Sequence, residues 1–299
     1  MNVSLLGLGH MGAAIADRLL EAGHHLAVWN RTPAKCDPYA ERGADRLKSP
    51  VDAWAHGDLA ITLLADTAAV DAVFTGADGL LSGGAAGCTA VEMSTISVSG
   101  SVRLAEQAAA AGVAYLRAPV TGSPAVVAAG NLGIIISGPR GAYDNVEPLL
   151  RDIGPNHFHV GDGDEARVVK LGLNLMLGGT AQLMSEALVL SEAHGIDRAS
   201  MLEVMAGSVM GSPFVKYKAQ ALIDDDYRST FTTRLLYKDL GLALESGNAA
   251  GVPLPATALV QQLAQATISS GMGELDLMAL LPWLRRESGL DGASRAAGS

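Results

Sequence analysis

The first half of this 299-residue chain alternates short apolar runs with alanine-rich amphipathic segments, and this alternation limits the fold more than any other feature. The runs are NVSLLGLG, HLAVWN, DLAITLLA, CTAVEMS, VAYLRAP and LGIIISG, with glycine, proline or polar residues after each. A buried strand followed by a helix, repeated, is typical of a mostly parallel sheet with helices on both faces. A last short strand, HFHVG at 157–161, closes this half.

After about Gly163 the strand signals stop and the apolar periodicity predicts only helices. The predicted helices are Glu165–His194, Arg198–Gly207, Pro213–Ile223, Thr232–Ala250, Pro255–Ser270 and Glu274–Arg286. The first is long enough to act as a rod between two domains. The predicted organisation is therefore an α/β domain at 1–162, an all-helical domain at 163–287 and a disordered tail at 288–299, which lacks apolar periodicity.

Charge and cysteine content argue against several classes of protein. The formal net charge is −10 and lysine and arginine do not cluster, so a nucleic-acid or anionic-membrane surface is not expected. Cys36 and Cys88 fit neither a CxxC motif nor a metal-ligand spacing, which suits a reducing compartment and predicts no metal site. No segment has the roughly 20 uninterrupted apolar residues of a membrane span. We expect a cytoplasmic protein that binds neither membrane nor nucleic acid.

The hexapeptide GLGHMG follows the first strand and opens a helix that starts near Met11. Gly7 permits a tight turn, Gly9 lets the backbone approach a pyrophosphate and Gly12 lets the helix pack on the strand, while amides at the helix start bind the anion. This context predicts a Rossmann dinucleotide site, with His10 as a solvent-facing spacer; the alternative is a purely structural glycine turn. The predicted cofactor loop comprises Gly7, Leu8, Gly9, His10, Met11 and Gly12.

The residue that ends the second strand decides which dinucleotide binds, because an acid there accepts from a ribose 2′-hydroxyl and repels a 2′-phosphate. This chain has WNRT at that point, without an acid. Asn30, Arg31 and Thr32 offer donors and one positive charge, which suit a 2′-phosphate, and Lys35 is a second candidate cation. NADPH is therefore favoured over NADH; the alternative is a solvated arginine in a loop.

Lys170 and Asn174 are the polar residues of the apolar stretch VVKLGLNLM, and four-residue spacing on a helix places both on one face. Gly172, Gly178 and Gly179 leave room for a close approach to this helix. An ammonium in a low-dielectric cleft has its pKa lowered toward neutrality, where it becomes a useful proton donor to an alkoxide formed by hydride transfer. The alternative, a lysine that extends to solvent beside a core asparagine, stays open on this pattern alone.

Two hydroxyl-rich segments follow strands of the predicted sheet. In RAPVTGSPAVVAAGNL, the hydroxyls and amides of Thr121, Gly122 and Ser123 could bind a substrate carboxylate. In EMSTIS, Ser94 and Thr95 lie at the carboxyl edge of the sheet, where open α/β folds bind ligands. Each segment by itself is also an ordinary serine and threonine turn.

Together and in this order these motifs resemble the β-hydroxyacid dehydrogenase family, from Met1 to about Arg286. GLGHMG is similar to the family's cofactor loop, STIS to its STxxP, APVTGS to its PVSGG or PVSGS, KLGLN to its KxxxN, and YKDLGLAL to its KDLxLAL. The resemblance implies an N-terminal Rossmann domain, an all-α C-terminal domain joined to it by a long interdomain helix, and assembly into a homodimer or homotetramer. WNRTPAKC is most similar to the NADPH-using glyoxylate/succinic semialdehyde reductases.

The resemblance also implies roles for individual residues. Lys170 would be the general acid in reduction and the general base in oxidation, assisted by Asn174. The substrate would contact Thr121, Gly122, Ser123, Phe231 and Asp239. Beyond the glycine loop, the expected cofactor contacts are Asn30, Arg31, Thr32, Leu64, Thr95 and Lys238.

The chain departs from the family pattern at four positions. Thr121 replaces a usual serine, which keeps the hydroxyl but adds a methyl group and stiffens χ1. Val98 replaces the proline of STxxP, and Glu92 replaces a frequent aspartate. Arg117 stands where an acid is common, which is either a surface change or a change in substrate charge preference.

Three functions are consistent with these residues. The first is NADPH-dependent reduction of a small carboxylated aldehyde such as glyoxylate or succinic semialdehyde, or the reverse oxidation of a β-hydroxyacid. The second is imine reduction on the same fold, although imine reductases typically carry an acid or tyrosine where Lys170 stands. The third is non-catalytic NADPH binding, which would not require Lys170, Asn174 and Thr121.

Overall fold

The computed structural model describes residues 1–83, 85–229 and 231–290. They form two compact units, Met1–Gly172 and a second unit that begins at Leu173. The domain limits 1–162 and 163–287 stay predictions. Most of the tail predicted at 288–299 lies outside the described residues.

A nine-stranded sheet forms the centre of the first unit. Its strands are β1 (Asn2–Leu6), β2 (His25–Trp29), β3 (Asp45–Arg46), β4 (Leu59–Thr62), β5 (Thr89–Glu92), β6 (Ala114–Arg117), β7 (Val120–Thr121), β8 (Gly133–Ser137) and β9 (Asn156–Gly161). The order is β3-β2-β1-β4-β5-β6-β8-β7, with β9 paired to β8. The pairings are parallel except for β6 with β8 and β7 with β8. The mostly parallel sheet is thus confirmed, while the two-residue strands β3 and β7 were not predicted.

Helices cover both faces of this sheet. They are α1 (His10–Glu21), α2 (Asp37–Ala40), α3 (Ala53–His56), α4 (Thr67–Thr75), α5 (Val98–Ala110), α6 (Pro124–Ala128) and α7 (Arg140–Ile153). Alternate strand residues supply two hydrophobic cores: Ile61 and Val91 pack with α1 and α7, whereas Ala60 and Ala90 pack with α4 and α5. Burial on both faces explains why the strands are continuous apolar runs rather than alternating ones.

The second unit is helical in its described residues. Its helices are the greater part of α8 (Glu165–Ala193), then α9 (Arg198–Gly207), α10 (Pro213–Ile223), α11 (Thr233–Ala249), α12 (Pro255–Thr267) and α13 (Leu280–Glu287). The helix predicted at Glu274–Arg286 is wrong at its start. A π-helical turn follows α12, Gly271 has φ 86°, and a short 3-10 helix at Leu277–Ala279 precedes α13.

By length and composition, α8 could cross a membrane, with a mean hydropathy of 1.2 over its most apolar 18-residue window. A core helix of a soluble protein meets the same criterion, and 44% of this window is buried inside the protein. Two of its buried polar residues, Arg167 and Asn174, are hydrogen-bonded to protein groups. Such satisfied polar groups favour the core helix.

Candidate active site

The glycine loop has the geometry that its sequence predicts. Gly7 has φ 110°, and a Cβ there would lie 2.2 Å from the carbonyl oxygen of Leu63. A Cβ on Gly12 would lie 2.0 Å from the carbonyl oxygen of Gly7, so α1 packs directly on the turn. A Cβ on Gly9 would meet nothing within 4 Å. Backbone contacts within the protein therefore require glycine at positions 7 and 12. The open space beside Gly9 fits the close approach of a dinucleotide.

The N-terminus of α1 is arranged to receive an anion. Gly9 is its N-cap and provides no side-chain hydrogen bond to the first turn. His10 is exposed and Leu8 is 4% exposed, so the loop can contact a cofactor through the Leu8 backbone but hardly through its side chain. A helix start without a side-chain cap fits the pyrophosphate of a nicotinamide dinucleotide.

Asn30 organises this loop, which sequence reasoning did not foresee. Its Oδ1 accepts a hydrogen bond from the backbone amide of Leu8 at 2.9 Å, and its Nδ2 donates to the Thr32 carbonyl at 3.0 Å. Because both ends of the amide are engaged, the side chains that remain for a 2′-phosphate at this strand end are those of Arg31, Thr32 and Lys35. Arg31 and Lys35 are both exposed, and neither side chain has a hydrogen bond or ion pair with another described residue.

The predicted carboxylate turn spans β7 and the start of α6. Gly122 has φ 143°, a conformation that favours glycine, and Ser123 is the N-cap of α6 without a side-chain capping bond. Thr121 pairs with Gly133 of β8, and a Cβ on Gly133 would lie 2.6 Å from the Thr121 methyl carbon. The extra methyl group of Thr121 thus occupies space that a glycine opposite leaves open.

Lys170 and Asn174 both lie on α8, one turn apart, as predicted. Lys170 is partly buried, and Asn174 is 3% exposed. The Asn174 amide donates to Asp239 Oδ2 at 2.6 Å, and Lys238 Nζ lies 3.1 Å from Asp239 Oδ1. A buried carboxylate therefore fixes the orientation of Asn174 and is balanced by a lysine.

Asp239 and Phe231, the other residues of the second unit predicted to contact the substrate, are held by contacts within that unit. Asp239 is 2% exposed, so it contacts Asn174 rather than solvent. Phe231 packs against the helical core, and its carbonyl accepts from Leu277 N at 2.9 Å. Gly178 faces α11, where a Cβ would lie 3.1 Å from Leu236, while Gly172 has open space at its Cβ.

At the carboxyl ends of β1, β4 and β5 the structure brings three predicted segments together. A Cβ on Gly7 would lie 3.0 Å from Leu64 Cδ2, and the Leu64 amide donates to Ser94 Oγ at 2.7 Å. Thr95 follows Ser94 directly. The glycine loop, Leu64 and the STIS segment therefore share the sheet edge where open α/β folds bind ligands.

Arg167 is a buried residue of this region that sequence reasoning missed. It is 1% exposed and paired with Glu92, whose side chain is fully buried. Desolvation lowers the pKa of Arg167, but the combined charges and hydrogen bonds of Glu92 and Tyr115 outweigh it and raise the pKa overall. Burial also raises the pKa of Tyr115, which accepts from Arg167 at 3.0 Å. An arginine inside the apolar run before Lys170, together with an acid ending a buried strand, was the available signal.

Arg117 is neither a surface change nor an exposed charge. It is 6% exposed and donates two hydrogen bonds to Asp164, both at 2.9 Å. The Ser137 hydroxyl donates to the Gly163 carbonyl at 2.8 Å on the same turn. Arg117 therefore holds the turn that leads into α8, and its charge is neutralised within the first unit.

Family models match nearly the whole chain. Residues 2–161 match the NAD binding domain of 6-phosphogluconate dehydrogenase, and residues 164–284 match the NAD-binding domain of NADP-dependent 3-hydroxyisobutyrate dehydrogenase. The chain belongs to the β-hydroxyacid dehydrogenase family. Membership confirms the resemblance stated from the motifs and accounts for the Rossmann unit and the helical unit.

Two relatives that are at least 30% identical to this chain are named as a dehydrogenase and a reductase. The chain is 34% identical to 3-hydroxyisobutyrate dehydrogenase of Pseudomonas aeruginosa, over 88% of this chain and 90% of that protein. It is 30% identical to glyoxylate/succinic semialdehyde reductase 2 of Arabidopsis thaliana, over 95% of this chain and 80% of that protein. NAD(P)-dependent hydroxyacid dehydrogenase or reductase activity is the activity that this family membership supports.

Solved structures of two kinds resemble this chain. A 3-hydroxyisobutyrate dehydrogenase from Salmonella typhimurium superposes with a TM-score of 0.84 at 25% identity, covering 94% of this chain and 98% of that one. An imine reductase from Pseudomonas sp. superposes with a TM-score of 0.64 at 25% identity, covering 94% and 98%. The fold is thus shared with both activities, and the agreement is better with the hydroxyacid dehydrogenase.

Proposed function

We propose that this protein is an NADPH-dependent reductase of a small carboxylated aldehyde, of the glyoxylate or succinic semialdehyde type, which also catalyses the reverse oxidation of a β-hydroxyacid. The observation that carries the proposal is the pair on α8, where Lys170 stands one turn from Asn174 and Asn174 is oriented by the buried Asp239. Neither a dinucleotide-binding module nor a scaffold requires a lysine and a fixed amide at this spacing.

Each polar group of the proposed site has a separate task. Bound NADPH supplies the hydride that reduces the carbonyl carbon. Lys170 donates a proton to the carbonyl oxygen as negative charge develops on it, and takes the proton back in the oxidation direction. Because Asn174 donates its amide to Asp239, its Oδ1 is an acceptor for the lysine ammonium or for a substrate hydroxyl.

The substrate carboxylate is proposed to bind at the turn formed by Thr121, Gly122 and Ser123. Its backbone conformation depends on glycine at 122, and Ser123 leaves the first turn of α6 uncapped. Hydroxyls and backbone amides are the donors that a carboxylate requires. Since Arg117 is paired with Asp164, we do not expect this arginine to set substrate charge preference.

The experiment that tests this function is a substrate panel followed by NADPH absorbance. It contains glyoxylate, succinic semialdehyde, other aldehydes, ketoacids and cyclic imines. We expect a carboxylated aldehyde to give the highest kcat/KM, and Lys170→Ala to lower it by about 10² to 10⁴, the usual contribution of a general acid, with NADPH affinity nearly unchanged. A loss confined to cofactor binding would contradict the role of Lys170.

Imine reduction is the second candidate, favoured by the structural similarity to an imine reductase. Turnover of cyclic imines far above that of every aldehyde in the panel would replace the first proposal by this one. Failure to turn over any of these compounds, with NADPH still bound, would instead favour a binding protein.

The preference for NADPH over NADH is proposed from the end of β2. Arg31 and Lys35 are exposed there, and no acid follows the strand. Arg31→Asp should weaken NADPH binding and leave NADH binding similar or better, because an acid repels the 2′-phosphate. An unchanged ratio of the two dissociation constants would remove Arg31 from the 2′-phosphate site.

We also propose a cellular compartment and an assembly for the protein. We expect the cytoplasm, since both cysteines are buried thiols and the proposed substrate is a small metabolite. A homodimer or homotetramer is the proposed assembly, without nucleic acid or membrane as a partner.

A further inference from the structure

The guanidinium of Arg167 donates hydrogen bonds to four residues of the first unit. Nη1 donates to the Ser94 carbonyl at 2.7 Å, Nε donates to Ser101 Oγ at 3.2 Å, and Nη2 donates to the Tyr115 hydroxyl at 3.0 Å and to the Glu92 carboxylate. The end of β5, the start of α5 and strand β6 are thus joined to the first turn of α8. An arginine with this many fixed partners allows little rotation or sliding of its helix.

The same network continues into the segments predicted to contact the cofactor. Glu92 Oε1 accepts from the Ser94 amide at 2.7 Å, and Ser94 Oγ accepts from the Leu64 amide at 2.7 Å. Thr95 is the next residue, and Leu64 lies against Gly7. Hydrogen bonds therefore connect Leu64, which lies beside the glycine loop, through Ser94 and Glu92 to Arg167.

This network would fix the position of Lys170 relative to the Ser94–Thr95 edge of the sheet. Lys170 follows Arg167 by three positions, which is slightly less than one helical turn. A helix is stiff over one turn, so fixing the Arg167 end fixes the Lys170 backbone relative to Thr95. The turn before the helix is held separately, by Arg117 with Asp164 and by Ser137 with Gly163.

We propose that Arg167 and Glu92 are a positioning pair for catalysis: the buried ion pair sets the placement of the Lys170 ammonium against the Ser94–Thr95 edge. This inference rests on the proposed role of Lys170 as proton donor. A displacement of about 1 Å between reacting groups can cost on the order of 10²-fold in rate, so a network remote from the substrate can control turnover.

Charge and position can be separated with two variants. Arg167→Lys keeps the positive charge but loses the fork of donors, since an ammonium cannot reach the four partners together. The double variant Arg167→Met/Glu92→Gln removes both charges, which avoids an uncompensated buried carboxylate. Lys218→Met is the matched control, because it breaks another buried ion pair, with Asp276, in the helical unit.

Each variant is measured for thermal stability, for NADPH affinity by nicotinamide fluorescence, and for kcat and KM with the best aldehyde of the panel. Hydrogen exchange of residues 93–97 and 165–172 is followed by mass spectrometry without cofactor. We expect Arg167→Lys and the double variant to lower kcat by about 10- to 100-fold, to change NADPH affinity less than threefold, and to exchange faster in both segments. The control should lose stability while kcat and exchange in these segments stay unchanged.

The decisive comparison is between stability and turnover. If the double variant is more stable than Arg167→Lys yet keeps the low kcat, the pair acts by position. Recovery of kcat together with stability would reduce the pair to a structural role and overturn the inference. If Lys170→Ala itself leaves kcat unchanged, the proposed function fails first; a loss with Lys170→Ala but none with the Arg167 variants refutes only the positioning pair.

Discussion

At the scale of single residues, the contact between Thr121 and Gly133 shows how the chain accommodates its departure from the family motif. A Cβ on residue 133 would lie 2.6 Å from the methyl carbon of Thr121. Gly133→Ala should therefore push Thr121 out of place, raise KM for the carboxylated substrate by about tenfold, equivalent to 1.4 kcal/mol, and cost about 1–3 kcal/mol of stability. Steady-state kinetics and thermal unfolding measure both effects.

The double variant Thr121→Ser/Gly133→Ala is the control for this prediction. It removes the clashing methyl group and keeps the hydroxyl, so KM and stability should return close to those of Thr121→Ser alone. An equal loss in the single and double variants would mean that Gly133 is required for another reason.

The sequence alone predicted the conformation of the glycine loop. It did not predict the hydrogen-bond partners of Asn30 and Arg167. The φ of 110° at Gly7 and the contact of Gly12 with the Gly7 carbonyl oxygen are local demands, which arise within one turn of the chain. The bond from Leu8 N to Asn30 and the pairing of Arg167 with Glu92 join residues 22 and 75 positions apart. Such partners depend on strand order, which the spacing of residues along the chain does not specify.

At the scale of elements, the ion pair between Lys218 of α10 and Asp276 fixes the break between α12 and α13. Lys218 Nζ lies 2.8 and 2.7 Å from the two carboxylate oxygens, and the side chains are 7% and 4% exposed. Asp276 also accepts from Met278 N at 3.1 Å and thereby begins the 3-10 helix. Lys218→Met should destabilise the protein by about 3–5 kcal/mol, because it leaves a buried carboxylate without its partner.

Urea unfolding followed by circular dichroism measures this change. Lys218→Met/Asp276→Asn should regain part of the stability, since no unpaired charge remains. Losses that simply add in the double variant would argue against a coupled pair. The helix predicted to begin at Glu274 is wrong because this capping interaction, made through tertiary contacts, overrides a favourable helical pattern.

At the scale of the whole molecule, the exposed apolar stripe of α8 is a surface suited to self-association. It consists of Val169, Leu173, Met176, Leu183 and Leu190, each between 39% and 66% exposed. The stripe extends for about 30 Å along the helix at 1.5 Å per residue. Pairing it with a second copy would remove these apolar side chains from water, and the exposed Glu186 between Leu183 and Leu190 accepts a hydrogen bond from Gln182 of the same helix.

We therefore expect a homodimer or a larger homo-oligomer in solution, and Leu183→Glu/Leu190→Glu should reduce its mass to that of the monomer in size-exclusion chromatography with light scattering. Leu183 is 13 residues beyond Lys170, about 20 Å along α8, so direct damage to the proton donor is not expected. Val102→Glu, at a 42% exposed site on α5, introduces an equivalent charge outside the stripe and should leave the mass unchanged. A wild-type monomer, or a variant whose mass equals that of a wild-type oligomer, would show that the stripe has another role.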